Sequence, residues 1–526
     1  MLSDDQGSCT STNISPQPLL ITAGDIFPRQ FAINMLLDEV LLEIFAFYVE
    51  KSQTRDGRHL SAYLYRRRQV DALRTLGCVC QRWRSIVLGS PCRLNLRIFC
   101  SDRTPVRKEL VFQPQFPIVL KVSRAVEHFR FGGEDNILET LEHNDRVCDI
   151  ELQRISSSLW EQVLPLMQKP FPILTDLYLR SSGRTVDLTR MLKLVVPDSF
   201  LGGSAPQLEF VFLEGISFPG LPNLLLSATH LVHLELYKIA YLGYFSADAM
   251  ATCLCTLTRL EFLAICFELP FLQGDPEWGE RCASLRSEWE RRRTSPPTRT
   301  PLPFLIDFMF EGVKEYLEVI VDRIDAPLLD QLRMSFFRRP IFDTPRLAQF
   351  ISRIPKFKTY NEARVYRNNI ETIDGISLSN SSCNTILELE YHADDMPDWY
   401  MESFVHLCTS SLPQDLATMV ERLNMVGIEY FTPGGRTASR IWQEFLQQFT
   451  GVKDLCLSPE IAPQIALSLK KFVVAGERVT DFLPVLQNIV YNKQKPSQLV
   501  PEGIGEFVTA RQSSSHPITI SLEQIS

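Results

Sequence analysis

Long apolar runs, a leader segment, a cysteine framework and an excess of basic charge are all missing from this sequence, and each absence removes a class of protein. A membrane-spanning helix needs about 18 consecutive apolar residues. The richest stretch, residues 221–236, is broken by Pro222, Asn223 and His230, so no membrane partner is expected. Met1-Leu-Ser-Asp-Asp opens without a basic region and an apolar run, and the 13 cysteines have no framework spacing. Free thiols in the cytosol or nucleus are therefore the expectation. With 54 basic against 62 acidic side chains and a net charge of -8, no global field draws the chain to a phosphate backbone, so nucleic acid is not an expected partner. Signatures of catalysis and of cofactor binding are missing too: there is no Gly-x-Gly-x-x-Gly, phosphate loop, Gly-x-Ser-x-Gly or His-Glu-x-x-His. The expected reading is a protein that is not an enzyme and carries no cofactor.

What is present is a chain of 526 residues, 45% hydrophobic and 22% charged, the balance of a folded, water-soluble protein. Its length exceeds the roughly 250–300 residues at which one core stops growing, so several domains or a repeat array are expected. Residues 1–30, rich in Ser, Thr, Asp, Pro and Gln, read as a flexible arm. Leu36, Leu37, Val40, Leu41, Ile44, Phe45 and Tyr48 then recur at helical spacing behind Asp38 and Glu39, acids that favour a helix N-terminus. After a polar segment over residues 50–68, Val70, Leu73, Leu76, Val79, Cys80, Trp83, Ile86 and Val87 repeat the pattern up to Gly89-Ser90-Pro91. One long helix or two short ones fit.

The rest of the chain carries an internal repeat, apolar-x-x-apolar-x-apolar. It occurs at Val147, Ile150, Leu152; Leu174, Leu177, Leu179; Leu208, Val211, Leu213; Leu231, Leu234, Leu236; and Leu260, Leu263, Ile265. Later copies are Leu305, Phe308, Phe310; Leu329, Leu332, Met334; a poor one at Tyr360, Ala363, Val365; then Ile386, Leu389, Tyr391; Val420, Leu423, Met425; and Val452, Leu455, Leu457. Helix-like stretches such as residues 248–258 and 313–324 lie between the copies. A strand of this kind buries its apolar side chains only beside a neighbouring unit. The predicted fold class is therefore α/β: a leucine-rich-repeat solenoid over residues 136–490 with a parallel sheet on its concave face, the alternative being an ordinary α/β domain. In that pattern the residues between the apolar positions, Tyr178, Phe212, Glu235, Met309, Arg333, Glu390 and Asn424, project onto the concave surface as candidate substrate contacts. Residues 92–135 read as a connector. Residues 270–303 read as a disordered insertion, and residues 494–526 as a loose tail in which Ile518-Thr-Ile-Ser-Leu is able to add a strand.

Taken in order, Ile33-Asn-Met-Leu-Leu-Asp-Glu-Val-Leu-Leu-Glu-Ile-Phe-Ala-Phe-Tyr-Val49 and Leu76-Gly-Cys-Val-Cys-Gln-Arg-Trp-Arg-Ser-Ile-Val-Leu-Gly-Ser-Pro91 resemble an F-box. The chain is most similar to a large fungal F-box family, whose members continue with stretches like Arg93-Leu-Asn-Leu-Arg-Ile-Phe-Cys100 and Thr104-Pro-Val-Arg107 and then carry a degenerate leucine-rich array. That resemblance implies a helical module over residues 33–91, with an insertion at 50–68. It also implies docking on a Skp-type adaptor, through it on a cullin, and presentation of a protein substrate to a ubiquitin ligase. Position by position it assigns Leu36, Leu37, Val40, Leu41, Ile44, Phe45, Val79, Cys80, Trp83 and Ile86 to the module's core or its adaptor-facing surface, without dividing the two roles. Leu37 stands where the family has a proline. The rival expectation is a leucine-rich scaffold with no ligase coupling, and an enzyme comes third.

The remaining motifs favour bland roles. Cys78 and Cys80, and Cys253 and Cys255, are Cys-x-Cys pairs in apolar stretches, expected as buried thiols with no metal. His230 and His233 abut a strand-like copy, where residues three apart face opposite sides. Glu388, Glu390, Asp394, Asp395 and Asp398 with His392 form an acidic cluster, read as a solvated face over a cation or basic-peptide site. Arg66-Arg67-Arg68 and Arg291-Arg292-Arg293 are short basic runs in linkers.

Overall fold

The computed structural model describes residues 36–53, 75–90, 93–94, 97–101, 116–123, 133–181, 194–268, 299–337, 344–368, 373–380, 383–392, 400–426, 436–474, 478–493, 499–514 and 516–524. The arm expected over 1–30, most of the polar segment at 50–68, and residues 270–298 of the expected insertion lie outside them. The chain divides into two compact units, Met1–Leu96 and Arg97–Ser526.

In the first unit, the helix Asp38–Gln53 starts on two acids, as the helix dipole favours, and runs into the segment read as an insertion. A second helix, Gln81–Gly89, is capped by Cys80, whose Sγ accepts from Trp83 N at 3.4 Å. The break falls at Cys78-Val79-Cys80, so residues 75–89 form a helical turn and a separate helix. The helices meet through Phe45 and Trp83, ring centroids 4.6 Å apart. Leu41, Leu42, Val49, Leu76, Ile86, Val87 and Leu94 fill the space around them.

The second unit is a mixed α/β structure built on a 16-stranded, mostly parallel sheet. In chain order the strands are β1 (Ile98–Cys100), β2 (Ile118–Ser123), β3 (Val147–Gln153), β4 (Asp176–Arg180), β5 (Phe210–Glu214), β6 (His233–Ile239), β7 (Phe262–Phe267), β8 (Thr300–Pro301), β9 (Asp307–Gly312), β10 (Ile324–Asp325), β11 (Gln331–Phe337), β12 (Glu362–Asn368), β13 (Ile373–Asn380), β14 (Cys383–His392), β15 (Arg422–Met425), β16 (Asp454–Leu457), β17 (Asn488–Lys493) and β18 (Thr519–Gln524). β8 and β10 pair apart from the sheet. From β1 to β11 the strands add side by side in chain order; then the order becomes β11-β14-β13-β12-β15, and β16 to β18 resume the sequence. The chain thus leaves a gap beside β11, lays down β12, and fills the gap by folding back through β13 and β14. Among the described strands, β13 alone runs antiparallel to its neighbours.

Two apolar ladders cross the sheet on one face. Leu177, Val211, Leu234, Leu263, Phe308 and Leu332 lie in one lateral row, and Leu179, Leu213, Leu236, Ile265, Phe310 and Met334 in the next. All are buried. Each is worth roughly 1.5–3 kcal/mol when removed from water, which is why the repeat recurs. Helices lie between successive strands, among them Ser157–Leu166, Ala247–Leu254 and Lys314–Arg323.

Three boundaries differ from expectation. β1 and β2 already belong to the sheet, so residues 92–135 are not merely a connector: Ile118, Leu120 and Val122 bury themselves without the spaced leucine that marks later copies. Thr300 and Pro301 pair with Ile324 and Asp325, so the end of the expected insertion is ordered. The expected loose tail contains the helix Glu502–Ser513 and the strand β18, which pairs with β17.

Candidate functional site

The described part of the first unit separates the adaptor-contact candidates into two groups. Leu41, Phe45 and Ile86 are buried in its core, and Trp83 and Cys80 are half-buried between the helices. Their role is to hold the helix pair together. Leu37, 69% exposed, with Val40, Ile44 and Val79, faces outward, and Phe47, Tyr48 and Leu88, which the sequence reading left out of the surface, join them. Leu37, Val40, Ile44, Phe47 and Tyr48 follow steps of three and four, one stripe along the helix. Leu36 sits half-buried before the helix and its carbonyl accepts from Arg82 Nη2 at 2.6 Å. Arg82 also donates to the Asp38 carboxylate, its Nε at 2.9 Å, so polar contacts fix the helix start while the stripe stays bare.

In the second unit the face opposite the ladders carries the substrate-contact candidates. Tyr178, Phe212, Glu235, Met309 and Arg333 occupy one lateral row, with Ala264 between Glu235 and Met309. All five are half-buried. Tyr178 stacks on Phe212 with centroids 4.0 Å apart. Burial raises the Glu235 carboxyl above its ordinary range. Asn424 lies in the same row beyond the hairpins, between Arg364 and Cys456. Glu390 does not: Arg333 pairs with Glu388, because Leu387 and Leu389, not Leu389 and Tyr391, continue the ladders. Glu390 is one row over, beside Ser335. Leu387 and Leu389 have Asn384, not an apolar residue, at the leading position of the repeat, so the repeat favours the other frame and the register with β11 overrides it.

That neighbouring row forms a depression of about 450 Å³ lined by Met309, Phe310, Glu311, Arg333, Ser335, Ile373, Glu390 and His392. Glu311, Ser335, Glu390 and Gly375 follow one another on β9, β11, β14 and β13. Gly375 has a specific reason to lack a side chain, since a Cβ there would stand 2.7 Å from the Tyr366 ring. Tyr366 lies across it and its hydroxyl meets the Glu390 carboxylate at 2.8 Å and the Glu388 carboxylate at 2.5 Å. One phenolic hydrogen serves two acids. Burial first, then the carboxylates of Glu388 and Glu311, raises the Glu390 carboxyl against the opposing Tyr366 hydroxyl and His392. His392 Nε2 is 3.3 Å from Glu311 Oε1. Arg333 is engaged in the adjoining row, with the Gln331 side chain, Asp307 at 3.7 Å and Glu388 at 4.0 Å. Ser335 is 9% exposed, and its hydroxyl has no hydrogen-bond partner among the described residues. Glu311, Ser335, His392 and Tyr366 were not among the expected contact residues, and only the acidic run around Glu390 signalled the place. Asp394, Asp395 and Asp398 lie outside the described residues.

Among the described residues no group of three or more His, Cys, Asp or Glu side chains is arranged to hold a metal ion. His230 lies in the turn before β6 with Nδ1 2.9 Å from Arg259 Nη1, while His233 faces the open side between Phe210 and Phe262. Cys253 is a buried thiol, pushed up to about 12 by burial and by Cys255; Cys78, expected to be buried, is exposed in the turn before the second helix. No helix among the described residues is long and apolar enough to cross a membrane. Compared with known proteins, the chain matches no family model, and no curated protein is significantly similar to it.

Proposed function

We propose that this chain is the substrate-recognition subunit of a cullin–RING ubiquitin ligase, docking a Skp-type adaptor through its N-terminal helices and a protein substrate through the open face of its sheet. The observation that carries this reading is the bare apolar stripe of Leu37, Val40 and Ile44 on a helix whose opposite side, through Leu41 and Phe45, is fully buried. Among the described residues, nothing covers the outer side of this helix, because its one packing partner, the helix Gln81–Gly89, lies against the other. The exposed side then becomes a surface that a partner covers. The F-box resemblance names that partner.

The second half of the proposal treats the sheet as the inner surface of a degenerate leucine-rich solenoid. The two continuous ladders, with one strand contributed by each repeat copy, support it. So does the character of the open face, where half-buried aromatic and charged side chains replace leucine.

The test is co-purification of the full chain with a Skp-type adaptor, alongside Val40→Asp/Ile44→Asp and a deletion of residues 1–96. Capture by the wild type and by neither variant supports the reading. If the wild type fails where an intact F-box control succeeds, a leucine-rich scaffold without ligase coupling takes its place.

A further inference from the structure

We propose that the depression above Ser335 is a site for a lysine side chain, supplied by a protein segment laid across the open face of the sheet. The inference deepens the substrate half of the proposed function and rests on it. The geometry is a three-sided acceptor. Glu311 and Glu390 stand on either side of β11, two strand spacings or roughly 10 Å apart at the backbone, and Ser335 forms the floor between them.

A small residue between two acids is what opens the depression. The floor hydroxyl is buried and, among the described residues, unpartnered, a state that a native structure rarely leaves unsatisfied. Among the described contacts each acid has one oxygen engaged: Glu311 Oε1 with His392, Glu390 Oε1 with Tyr366. An ammonium group seated over Ser335 has three N–H donors for three acceptors, one each on Glu311, Ser335 and Glu390.

Charge points the same way. Arg333 lines the depression as well, but its guanidinium is engaged by Asp307, Gln331 and Glu388, and among the described residues it makes no ion pair with Glu311 or Glu390. Met309, Phe310 and Ile373 supply apolar lining against which the four methylenes of a lysine stem lie. A planar guanidinium seeks a coplanar carboxylate fork instead, and the two acids here face each other across a strand. A metal ion is disfavoured because Glu311, Glu390 and His392 do not converge as ligands.

The test uses fluorescein-labelled octalysine and the same peptide with every Nε acetylated, titrated against the full chain by fluorescence anisotropy at physiological salt. Octalysine is expected to bind and its acetylated form not to. Glu311→Gln/Glu390→Gln should weaken binding at least about tenfold, as one lost charge-assisted contact of about 1.4 kcal/mol already would. Ser335→Leu, which fills the depression, should do the same. Glu161→Gln/Glu444→Gln removes the same charge from exposed helix positions and should change binding less than about twofold. Thermal melts of all variants check folding, and the isosteric Gln pair keeps the test valid if Ser335→Leu does not fold. Equal weakening by both Gln pairs, or none by the first, overturns the proposal. Binding that appears only after deletion of residues 271–297 also overturns it, assigning the site to the chain's own Arg291-Arg292-Arg293. Loss of peptide binding with adaptor capture intact sinks the lysine site alone; the reverse sinks the ligase reading.

Discussion

Phe45 and Trp83 meet at 4.6 Å between ring centroids, tilted by 58°, and that contact decides which side of the first helix faces inward. With Phe45 inside, Val40 and Ile44 are forced out. Phe45→Ala should therefore cost about 3–5 kcal/mol, enough to open so small a unit, while Val40→Asp and Ile44→Asp should each change its stability by less than about 0.5 kcal/mol. Hydrogen exchange of residues 38–53 in the full chain reads the difference. Equal protection in Phe45→Ala and wild type would mean that the helix pair is held by something other than this contact.

Glu318 supplies a cap from a neighbouring helix. Its buried carboxylate accepts from Leu347 N at 2.8 Å and Arg346 N at 3.2 Å, in the first turn of the helix Pro345–Ser352. Thr344, at the capping position, makes no side-chain cap bond; its hydroxyl lies 2.7 Å from Ser411 Oγ instead. Hydrogen bonds to a charged acceptor contribute about 1.5–3 kcal/mol, and burying their donors unpaired costs about as much. Glu318→Ala should lower stability by about 2–4 kcal/mol and Glu318→Gln by about half as much, measured by urea unfolding. Equal, small losses would show that the two N–H groups find other acceptors.

Asp374 on β13 makes stability depend on pH. It is buried, with Oδ1 3.9 Å from Arg367 Nε, and burial raises its pKa from 3.8 to about 6 against the pull of Arg367. The folded chain keeps a proton there that the unfolded chain releases, so this residue's contribution falls as pH rises from about 4 to about 6. Asp374→Asn should remove that dependence and gain on the order of 1–3 kcal/mol relative to wild type between pH 4 and pH 7. Melting curves that stay parallel across this range would contradict it.

The ladders were legible in the sequence because a strand that buries one face repeats its apolar residues with period two, and each copy must match its neighbour. Leu177 and Leu179, Leu234 and Leu236, and Leu423 and Leu455 all stand where the repeat places them. The hairpin region was not legible. β13 carries Ile376 and Leu378 into the same ladders, yet it runs backwards and out of chain order, and a linear pattern encodes neither fact. The slip between Glu388 and Glu390 has the same origin, since Leu387, Leu389 and Tyr391 alternate evenly and pairing with β11 selects the register. The depression followed from that pairing too: Ser335 and Glu390 are neighbours because β12 and β13 were set aside. On the helical module the sequence marked Val40, Leu41, Ile44 and Phe45 but not their side, and passed over Leu42, Phe47, Val49 and Leu88, because the choice between core and surface depends on how Phe45 meets Trp83.

Adaptor docking through the exposed stripe is tested most directly by a calorimetric titration of the full chain with a Skp-type adaptor, wild type against Val40→Asp/Ile44→Asp. Wild type is expected to bind at micromolar affinity or tighter, with at least about a hundredfold loss in the variant, as two central apolar anchors each worth about 1.5–3 kcal/mol would give. Equal binding by the two proteins, or no heat from wild type where an intact F-box control binds, would contradict it.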